Sequence, residues 1–487
     1  MSLYGGIELT GRPSLENVRK LDLLAMPMIS RMHQYGIAIN REYFAELSEN
    51  LSDRMNSLKG DICSYIPEEK LAEFVMRSKL PDDDYSPMNV NSRDQLSTLL
   101  FDVLKIGHDR QLKTTKSGKR ISTGKKQLEA IKQVHPVIPI TLLYAEIHKL
   151  KSTYSDKLPK LAKFHPDGPC WCGLRHQAET WRVHTEILTT RTSTGRLASK
   201  NPNLQNTPAR SELGRMVRKG FIASPGTQLV SCDYSQEEMR FGAHHSGDKN
   251  LIRIFELGLD PHNETAKIAF NTDKPDYLTQ RTPSRNVNFG VFYGLSGPGL
   301  YDMMAITYAT ANLPLPETLP DNLGDALPLM DWCDWFVRFW FTDIYSGVKK
   351  YLETQIYRAR RYGLVWTLMG RIRRVPEIRS CHRHVQSAGL RQAVNMPIQG
   401  DGADVMRLTM GEVEEKLLEV LNEGIWVWPL LTVHDDLVVE AEDKYAEFVR
   451  DLNSSVMSSV LTDRETGIHQ LRVPLMVDGK VMTEWKK

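Results

Sequence analysis

Two segments far apart in the sequence each place aspartate in or beside a run of strand-forming residues. LTVHDDLVVE (431–440) carries Asp435 and Asp436 in the middle of a predicted β-strand, and QLVSCDY (228–234) predicts a strand ending near Asp233. Carboxylates are rarely buried unless they are paired or bound to metal. If the two strands are neighbours, Asp233 and Asp435 come together and suit a pair of Mg²⁺ ions. Magnesium prefers oxygen ligands, and two such ions can clamp both oxygens of a phosphoryl transfer.

A helix is predicted directly after the first of these strands. In SQEEMRFGAHH (235–245), Ser235 is a suitable N-cap and Glu238 stands three residues later, in the capping-box position. Asp233 is therefore expected at the edge where the sheet passes into a helix.

A second predicted helix carries cations and aromatic rings on one face. RTPSRNVNFGVFYG (281–294) places Arg281, Arg285 and Phe289 at intervals of four residues. Guanidinium groups bind phosphate oxygens, and an aromatic ring can stack on a base or a sugar. The alternative interpretation is an amphipathic core helix whose arginines extend to solvent.

Composition is that of an ordinary globular protein. The chain has 487 residues, 41% of them hydrophobic and 25% charged, and its net charge of +2 means that any nucleic-acid surface must be local. Six cysteines form no disulfide framework at this length, which indicates a reducing compartment. No apolar run approaches the roughly 20 residues of a membrane span and no secretory signal opens the chain, so a cytoplasmic protein is expected.

Three further segments have open interpretations. KTTKSGKRISTGKK (113–126) is either a solvated loop or, as we favour, a flexible contact to a phosphate backbone. Residues 305–330 are typical of an excursion inserted between helices. HPDGPCWCGLRHQ (165–177) offers four possible zinc ligands, although its CxC spacing is tighter than the usual CxxC and an ordinary loop with free thiols is favoured. These are His165, Cys170, Cys172 and His176.

The motifs together resemble those of one family. DYSQEEMR, RTPSRNVNFGVFYG and VHDDLVVEA closely resemble motifs A, B and C of family A DNA polymerases, the bacterial DNA polymerase I group. NVNSRDQL and LKSTYSDKLP resemble thumb segments, and TSTGRLASKNPNLQNTPAR resembles the primer–template contact motif. DPHNETA is similar to a fingers segment, and RQAVNMPIQGDGADVMR to the helix before motif C. The resemblance covers roughly residues 20–487 in the expected order.

The resemblance implies an α+β right-hand polymerase fold, with an antiparallel palm sheet, helical fingers and a helical thumb. The implied domains are the N-terminal segment and thumb (1–190), the first part of the palm with motif A (191–250), the fingers with motif B (251–380) and the second part of the palm with motif C (381–487).

The implied function is template-directed DNA synthesis, in which dNTPs are added to a primer 3′-hydroxyl by a two-metal-ion mechanism. Two Mg²⁺ ions, for which Mn²⁺ can substitute, are expected on Asp233, Asp435 and the backbone carbonyl of Tyr234. Asp436 stands at the family's glutamate position and is expected to support the site through water. Arg285, the fourth candidate catalytic residue, stands where the family has lysine, so an acid role toward pyrophosphate is in doubt.

The resemblance also assigns the contacts to substrates. The expected dNTP contacts are Arg281, Arg285, Phe289, Tyr293, His262, Gln236, Glu238 and Tyr234. The expected primer–template contacts are Arg196, Gln205, Arg391, Asn395, Gln399 and His434. Glu238 matches the family's steric gate against ribonucleotides, and Phe289 in place of tyrosine implies discrimination against dideoxynucleotides.

Two departures from the family's pattern concern the same site. Glu237 replaces a residue that is normally isoleucine and puts an extra carboxylate near the nucleotide pocket, with no role assigned. Pro283 is tolerated in a first helical turn, so the fingers helix should begin near Thr279–Thr282.

Partners and location follow from the resemblance as expectations. The chain begins almost at the thumb, so neither a proofreading nor a 5′ nuclease domain is expected in it. Primer–template DNA and dNTPs are the expected partners, replication proteins or a separate exonuclease are further candidates, and no membrane is involved. A monomer in the cytoplasm of a bacterial cell or a phage-infected host is expected.

Two alternative functions are disfavoured by particular residues. A single-subunit RNA polymerase shares the two-aspartate palm, but Glu238 argues against it. A catalytically inactive DNA-binding accessory factor is disfavoured because Asp233, Asp435, Arg281 and Tyr293 are all present.

Overall fold

Antiparallel strands and long helices form most of the backbone in the computed structural model of the chain. The structure describes residues 3–78, 88–107, 112–115, 118, 120–170, 173–176, 178–209, 211–311, 313–463 and 466–486. No helix in those ranges is both long enough and apolar enough to cross a bilayer.

The helices are numbered here in chain order. They are α1 (Leu15–Tyr35), α2 (Arg41–Ser64), α3 (Leu71–Ser78), α4 (Arg93–Ser97), α5 (Lys125–Ala130), α6 (Val137–Leu150), α7 (Leu158–Leu161), α8 (Glu212–Lys219), α9 (Glu237–Ser246), α10 (Lys249–Glu256), α11 (Pro261–Ala269), α12 (Thr282–Gly290), α13 (Gly297–Thr310), α14 (Leu329–Phe339), α15 (Ser346–Tyr362), α16 (Arg383–Asn422) and α17 (Ala446–Ser459). Shorter turns of 3₁₀ type span Tyr4–Gly6, Glu68–Lys70, Val291–Tyr293, Pro376–Arg379 and Asp443–Tyr445, and those of π type span Thr98–Val103, Lys151–Ser155, Tyr277–Arg281 and Trp340–Ile344.

The strands are numbered in the same way. They are β1 (Ile37–Ala38), β2 (Lys163–His165), β3 (Gly168–Pro169), β4 (Arg175–His176), β5 (Thr180–Val183), β6 (Glu186–Leu188), β7 (Ala198–Lys200), β8 (Thr227–Tyr234), β9 (Thr318–Pro320), β10 (Ala326–Pro328), β11 (Leu364–Trp366), β12 (Ile372–Arg374), β13 (Val427–Val433), β14 (Asp436–Glu442) and β15 (Val477–Met482).

The central sheet has the order β13-β14-β8-β15, and every neighbouring pair in it is antiparallel. One part of the sequence prediction for this sheet is wrong. LTVHDDLVVE is not a single strand, because His434 and Asp435 form the turn of a hairpin between β13 and β14. His434 has φ 62°, a left-handed conformation that histidine, asparagine and aspartate adopt more readily than most residues. Asp435 therefore lies in a turn and is not buried inside a strand.

Contact density divides the chain into two compact units. The larger contains residues 1–38, 163–207 and 221–485, and its core includes Trp332, Trp340, Phe241 and Leu437. The smaller contains residues 39–162, 208–220 and 486–487, with a core of its own built from helical side chains. The four domain boundaries drawn from the family resemblance stay a prediction.

The starts of two helices test the sequence predictions directly. α12 begins at Thr282, within the predicted range Thr279–Thr282, and Pro283 lies in its first turn. A π-type turn precedes it. Ser235 does not cap α9, so that prediction is wrong. Gln236 precedes the helix in a left-handed conformation without a side-chain cap, and the Ser235 N–H is used by the sheet, donating to the Met476 carbonyl.

Two of the segments with open interpretations are only partly described. The 305–330 excursion contains a small hairpin, β9–β10, between α13 and α14. In the basic segment 113–126, Thr114 and Ile121 form a β-bridge, while residues 116, 117 and 119 lie outside the described residues. A phosphate contact there stays a prediction.

A fully buried ion pair joins β5 to β14. Arg182 Nη2 donates to Glu440 Oε2 at 2.6 Å, and neither side chain is exposed. Arg182 also donates to Ser224 Oγ and to the Tyr35 carbonyl. Glu440 Oε1 accepts from Thr227 Oγ1 and from the Ser224 N–H. Burial alone would raise the pKa of Glu440, but Arg182 and Ser224 together lower it.

Replacing Glu440 should therefore destabilise the fold strongly. Glu440→Leu leaves the Arg182 guanidinium buried without its carboxylate, which costs about 3–5 kcal/mol in the free energy of unfolding. Glu419→Ala is the matched control, since it breaks an exposed pair with Lys416 and should cost less than about 1 kcal/mol. Urea unfolding followed by circular dichroism measures both. Equal losses would contradict a structural role for the buried pair.

Candidate active site

Three aspartates meet where β8 ends and the β13–β14 hairpin turns. In the β8–β14 register Asp233 lies directly opposite Asp436. The Tyr234 N–H donates to the carbonyl of Asp435 at 3.2 Å, which holds the turn against the end of β8. Asp233 and Asp435 are partly exposed, whereas Asp436 is buried. The adjacency of the two acidic segments predicted from the sequence is thus present.

The three acids are held in different ways. Ser231 Oγ donates to Asp436 Oδ1 at 2.6 Å, from a position two residues before Asp233 on the same strand. The Tyr234 side chain is buried, and its hydroxyl contacts Thr409 Oγ1 at 2.6 Å and donates to the Met457 carbonyl at 2.9 Å. That placement commits the Tyr234 side chain to the core, which leaves its backbone carbonyl as the group able to bind a metal.

The donor atoms at this junction suit a hard divalent cation. The Asp233 and Asp435 carboxylates and the Tyr234 carbonyl are all oxygen ligands, the type that Mg²⁺ prefers. The negative charge here is strong enough to perturb a neighbour, since the Asp435 and Asp233 carboxylates help to raise the pKa of Glu237. The residues present therefore fit a magnesium site.

Glu237, the extra carboxyl, lies inside the protein in the first turn of α9. It is 5% exposed, and its Oε1 has no hydrogen-bond partner among the residues that the structure describes. Its carboxyl packs on Gly402 of α16, where a Cβ would lie 2.5 Å from Glu237 Oε2. Burial, together with the Asp435 carboxylate, raises the pKa of Glu237 well above its ordinary range. The folded chain therefore favours the protonated form of the Glu237 carboxyl.

Four of the predicted contact residues form one hydrogen-bonded chain. Arg196 Nη2 donates to Glu238 Oε1 at 2.5 Å, and the Tyr293 hydroxyl donates to Glu238 Oε2 at 2.7 Å. Gln399 Nε2 in turn donates to the Tyr293 hydroxyl at 2.6 Å. These side chains come from four separate segments of the sequence, and both oxygens of Glu238 are engaged.

The cations of the fingers helix lie on a partly exposed face, as predicted. Arg281, Arg285 and Phe289 are all half-buried. Arg281 Nη2 donates to Asp260 Oδ2 at 2.6 Å. Asp260 is also the N-cap of α11, because its Oδ1 accepts from the His262 N–H at 2.7 Å.

His262 is fixed in one tautomer by a residue that the sequence analysis missed. Asn288 Nδ2 donates to His262 Nδ1 at 3.0 Å, so the ring proton is on Nε2. Burial lowers the pKa of His262 to about 4, and the ring is therefore neutral. Asn288 is itself fully buried and accepts from Trp340 Nε1. The sequence signal that could have identified this residue is an asparagine on the buried face of a predicted amphipathic helix.

The remaining predicted DNA contacts occupy two places. Arg391, Asn395 and Gln399 follow one another at intervals of four along α16, on a face that is at least partly exposed. Gln205 is buried, and its Nε2 donates to the Thr432 carbonyl near the end of β13, two residues before the exposed His434.

The structure also brings together three of the four possible zinc ligands. The ligand atoms of His165, Cys170 and His176 all lie within 4.8 Å of one another: His165 ends β2, Cys170 lies in the turn of the β3–β4 hairpin and His176 lies in β4. An ordinary loop was favoured from the sequence, and the described part of the segment contains this hairpin. Cys172 lies outside the described residues.

The pKa of Glu237 predicts a pH dependence of stability. Above about pH 4.5 this group ionises in the unfolded chain but stays protonated in the folded one, so the folded state loses stability as pH rises. Glu237→Gln removes this loss, and its advantage over wild type should grow between about pH 5 and 8, by up to about 1.4 kcal/mol per pH unit. Unfolding midpoints in chelator across that range measure it.

The control for this comparison is Glu256→Gln, which changes an exposed carboxyl. Its difference from wild type should not vary with pH. Stability curves of wild type and Glu237→Gln that stay parallel from pH 5 to 8 would contradict a neutral Glu237.

Comparison with known proteins places this geometry in a family. The model of DNA polymerase family A matches residues 41–315 and 336–487, and the unmatched stretch includes the β9–β10 hairpin. The thermostable DNA polymerase I of Thermus aquaticus is 36% identical over 469 residues, covering 96% of this chain and 48% of that protein. DNA polymerase I of Deinococcus radiodurans is 34% identical over 479 residues, covering 97% and 43%. The chain thus spans about half the length of these curated relatives.

A solved structure agrees with these relatives. The POL domain of Pol1 from M. smegmatis, in complex with DNA primer-template and dNTP, matches with a TM-score of 0.74 at 27% identity, covering 96% of this chain and 72% of that one. The predicted α+β fold of the right-hand polymerases and the predicted family are confirmed. This chain belongs to DNA polymerase family A.

Proposed function

We propose that the chain is a DNA-directed DNA polymerase, which adds dNTPs to the 3′-hydroxyl of a primer as the template directs. The observation that carries this proposal is the placement of Asp233 and Asp435 side by side, at the end of β8 and in the β13–β14 turn. Two partly exposed carboxylates at one sheet edge are costly to the fold and suit phosphoryl transfer assisted by divalent ions.

The cofactor that fits is Mg²⁺, as two ions for which Mn²⁺ can substitute. Asp233, Asp435 and the Tyr234 carbonyl are the proposed ligands. Metal ions held there would lower the pKa of the primer hydroxyl and neutralise charge on the departing pyrophosphate. Asp436 is kept in place by Ser231 and orients water beside the two ligands.

The triphosphate is gripped by the cationic face that leads into α12. Arg281 can leave Asp260 for a phosphate oxygen, because Asp260 still caps α11 with its other oxygen. Arg285 acts as a permanent cation, since a guanidinium is a poor proton donor. His262 is neutral and protonated on Nε2, and it donates a hydrogen bond to the β-phosphate. Its ring centroid lies 5.1 Å from that of Phe289, on which the sugar packs.

Selection of deoxyribose rests on Glu238. Arg196 and Tyr293 each bind one of its oxygens, so the carboxylate cannot rotate away from an added 2′-hydroxyl. A fixed obstacle excludes the larger sugar by overpacking.

The DNA is contacted by the exposed stripe of α16 and by neighbouring side chains. Amide and guanidinium donors reach minor-groove acceptors that all correct base pairs share, so these contacts check pair geometry without reading sequence. The proposed set is Arg196, Gln205, Arg391, Asn395, Gln399 and His434, with Tyr293 and Gln236 at the nascent pair.

Removing either metal ligand should abolish synthesis. Asp233→Ala and Asp435→Ala are expected to lower the rate of primer extension in Mg²⁺ by roughly three decades or more, because the charge stabilisation of the transition state is lost. DNA binding, measured by fluorescence anisotropy, should stay close to wild type. Asp436→Asn is the matched control and should lose less. Near-normal primer extension by either alanine variant would contradict the assignment of Asp233 and Asp435 as metal ligands.

The sugar gate predicts a change in selectivity. Glu238→Ala should raise the ratio of rNTP to dNTP incorporation by about one to two decades, equivalent to relieving about 1–3 kcal/mol of overpacking. Tyr293→Phe is the comparison: it removes two hydrogen bonds, one to Glu238 and one from Gln399, but leaves the carboxylate, so it should raise the ratio less than Glu238→Ala. Single-nucleotide extension with rNTP and dNTP in parallel measures this ratio. A wild-type preference for rNTP would favour an RNA polymerase instead.

A further inference from the structure

A compact hairpin within the larger unit carries three side chains of metal-binding type. β3 pairs with β4, with Gly168 opposite His176, and the turn between them is closed by the Cys170 N–H, which donates to the Leu174 carbonyl at 2.9 Å. The preceding strand β2 ends at His165 and pairs with β5. The fold thus brings a cysteine and two histidines to one place.

The ligand atoms of these side chains point at one another. His165 Nδ1 lies 2.9 Å from His176 Nε2, and Cys170 Sγ lies 3.2 Å from His165 Nδ1. His165 and His176 are buried, and Cys170 is partly buried. Two imidazoles and a thiol that converge out of solvent form the donor set that zinc prefers.

A chain of hydrogen bonds fixes which nitrogen of His165 faces the cluster. His184 Nδ1 lies 2.8 Å from the His33 carbonyl, which can only accept, so this nitrogen carries the proton. Burial disfavours the charged form of an imidazole, and His184 Nε2 is then an acceptor. His165 Nε2, 3.0 Å away, must donate to it. The lone pair of His165 is therefore on Nδ1, directed at Cys170 and His176.

This is the arrangement by which outer partners orient a metal-binding histidine. His176 is fixed in a different way, because its ring stacks on Tyr35 with centroids 4.8 Å apart. Tetrahedral zinc separates two nitrogen ligands by about 3.3 Å, and a nitrogen and a sulfur ligand by about 3.6 Å. The two separations that involve His165 need to open by only a few tenths of an ångström, and the third, between Cys170 and His176, is within 4.8 Å.

We propose that His165, Cys170 and His176 bind one Zn²⁺ ion in a structural site separate from the polymerase centre. His165 binds through Nδ1, His176 through Nε2 and Cys170 as the thiolate, whose proton is released to solvent on binding. The fourth position is taken by water or a further donor. The ion fastens the β3–β4 hairpin to β2.

Cobalt reports such a site, because Co²⁺ replaces Zn²⁺ and absorbs light when a thiolate binds it. The full chain, stripped with a chelator, is titrated with Co²⁺ and then with Zn²⁺. We expect one equivalent of Co²⁺ per chain with thiolate-to-metal charge-transfer absorption, abolished by one equivalent of Zn²⁺. Zinc should also raise the thermal unfolding midpoint of the stripped wild type.

Two variants make the test specific. Cys170→Ser should lose the charge-transfer band and the thermal shift, while Cys381→Ser, which changes an exposed thiol, should keep both. Wild-type spectra decide the matter if Cys170→Ser does not fold. Absence of a thiolate band in wild type, or an undiminished band in Cys170→Ser, would overturn the proposal and leave a hydrogen-bonded cluster.

Discussion

Repulsion among carboxylates gathered at the end of one strand is the constraint on which the candidate site depends. Two unit charges 4 Å apart repel by about 4 kcal/mol at an effective dielectric constant of about 20. Each acid is stabilised in its own way: Asp436 accepts from Ser231, Glu238 is bound by Arg196 and Tyr293, and burial raises the pKa of Glu237. In the proposed function, metal ions neutralise the two aspartates that remain.

The geometry that brings the acids together is set by strand register. Because side chains alternate across a strand, a slip of one residue between β8 and β14 would put Asp436 and Ser231 on opposite faces of the sheet. β8 is an inner strand, hydrogen-bonded on both sides, and its buried core residues oppose such a slip. Hydrophobic packing on the other face of the sheet therefore fixes the positions of the acidic side chains.

The sequence predicted the helices and strands that carry the site better than it predicted the turns and caps between them. The strand that carries Asp233 next to its last residue follows from local periodicity, and the start of α12 follows from turn chemistry. The hairpin at His434 could not be predicted in that way, because a left-handed histidine replaces the usual glycine signal. Asn288 was missed for another reason, since its importance comes from partners distant in sequence.

The failure at Ser235 and the ambiguity over the histidines and cysteines share a cause. Ser235 has the composition of a cap, but its N–H donates to the Met476 carbonyl beside β15, which keeps Ser235 with the sheet and leaves Gln236 as the residue before α9. His184, which orients His165, lies outside the sequence window in which zinc ligands are usually counted. In both cases, the cap and the histidine–cysteine cluster, the outcome depends on contacts with residues distant in the sequence.

The packing of Glu237 on Gly402 has a consequence for how this chain can vary. A methyl group at position 402 would lie 2.5 Å from Glu237 Oε2, so the Glu237 carboxyl would have to shift to admit it. The two positions therefore constrain each other although they lie on different helices. A side chain at 402 is compatible with the extra acid only if the carboxyl takes a different position.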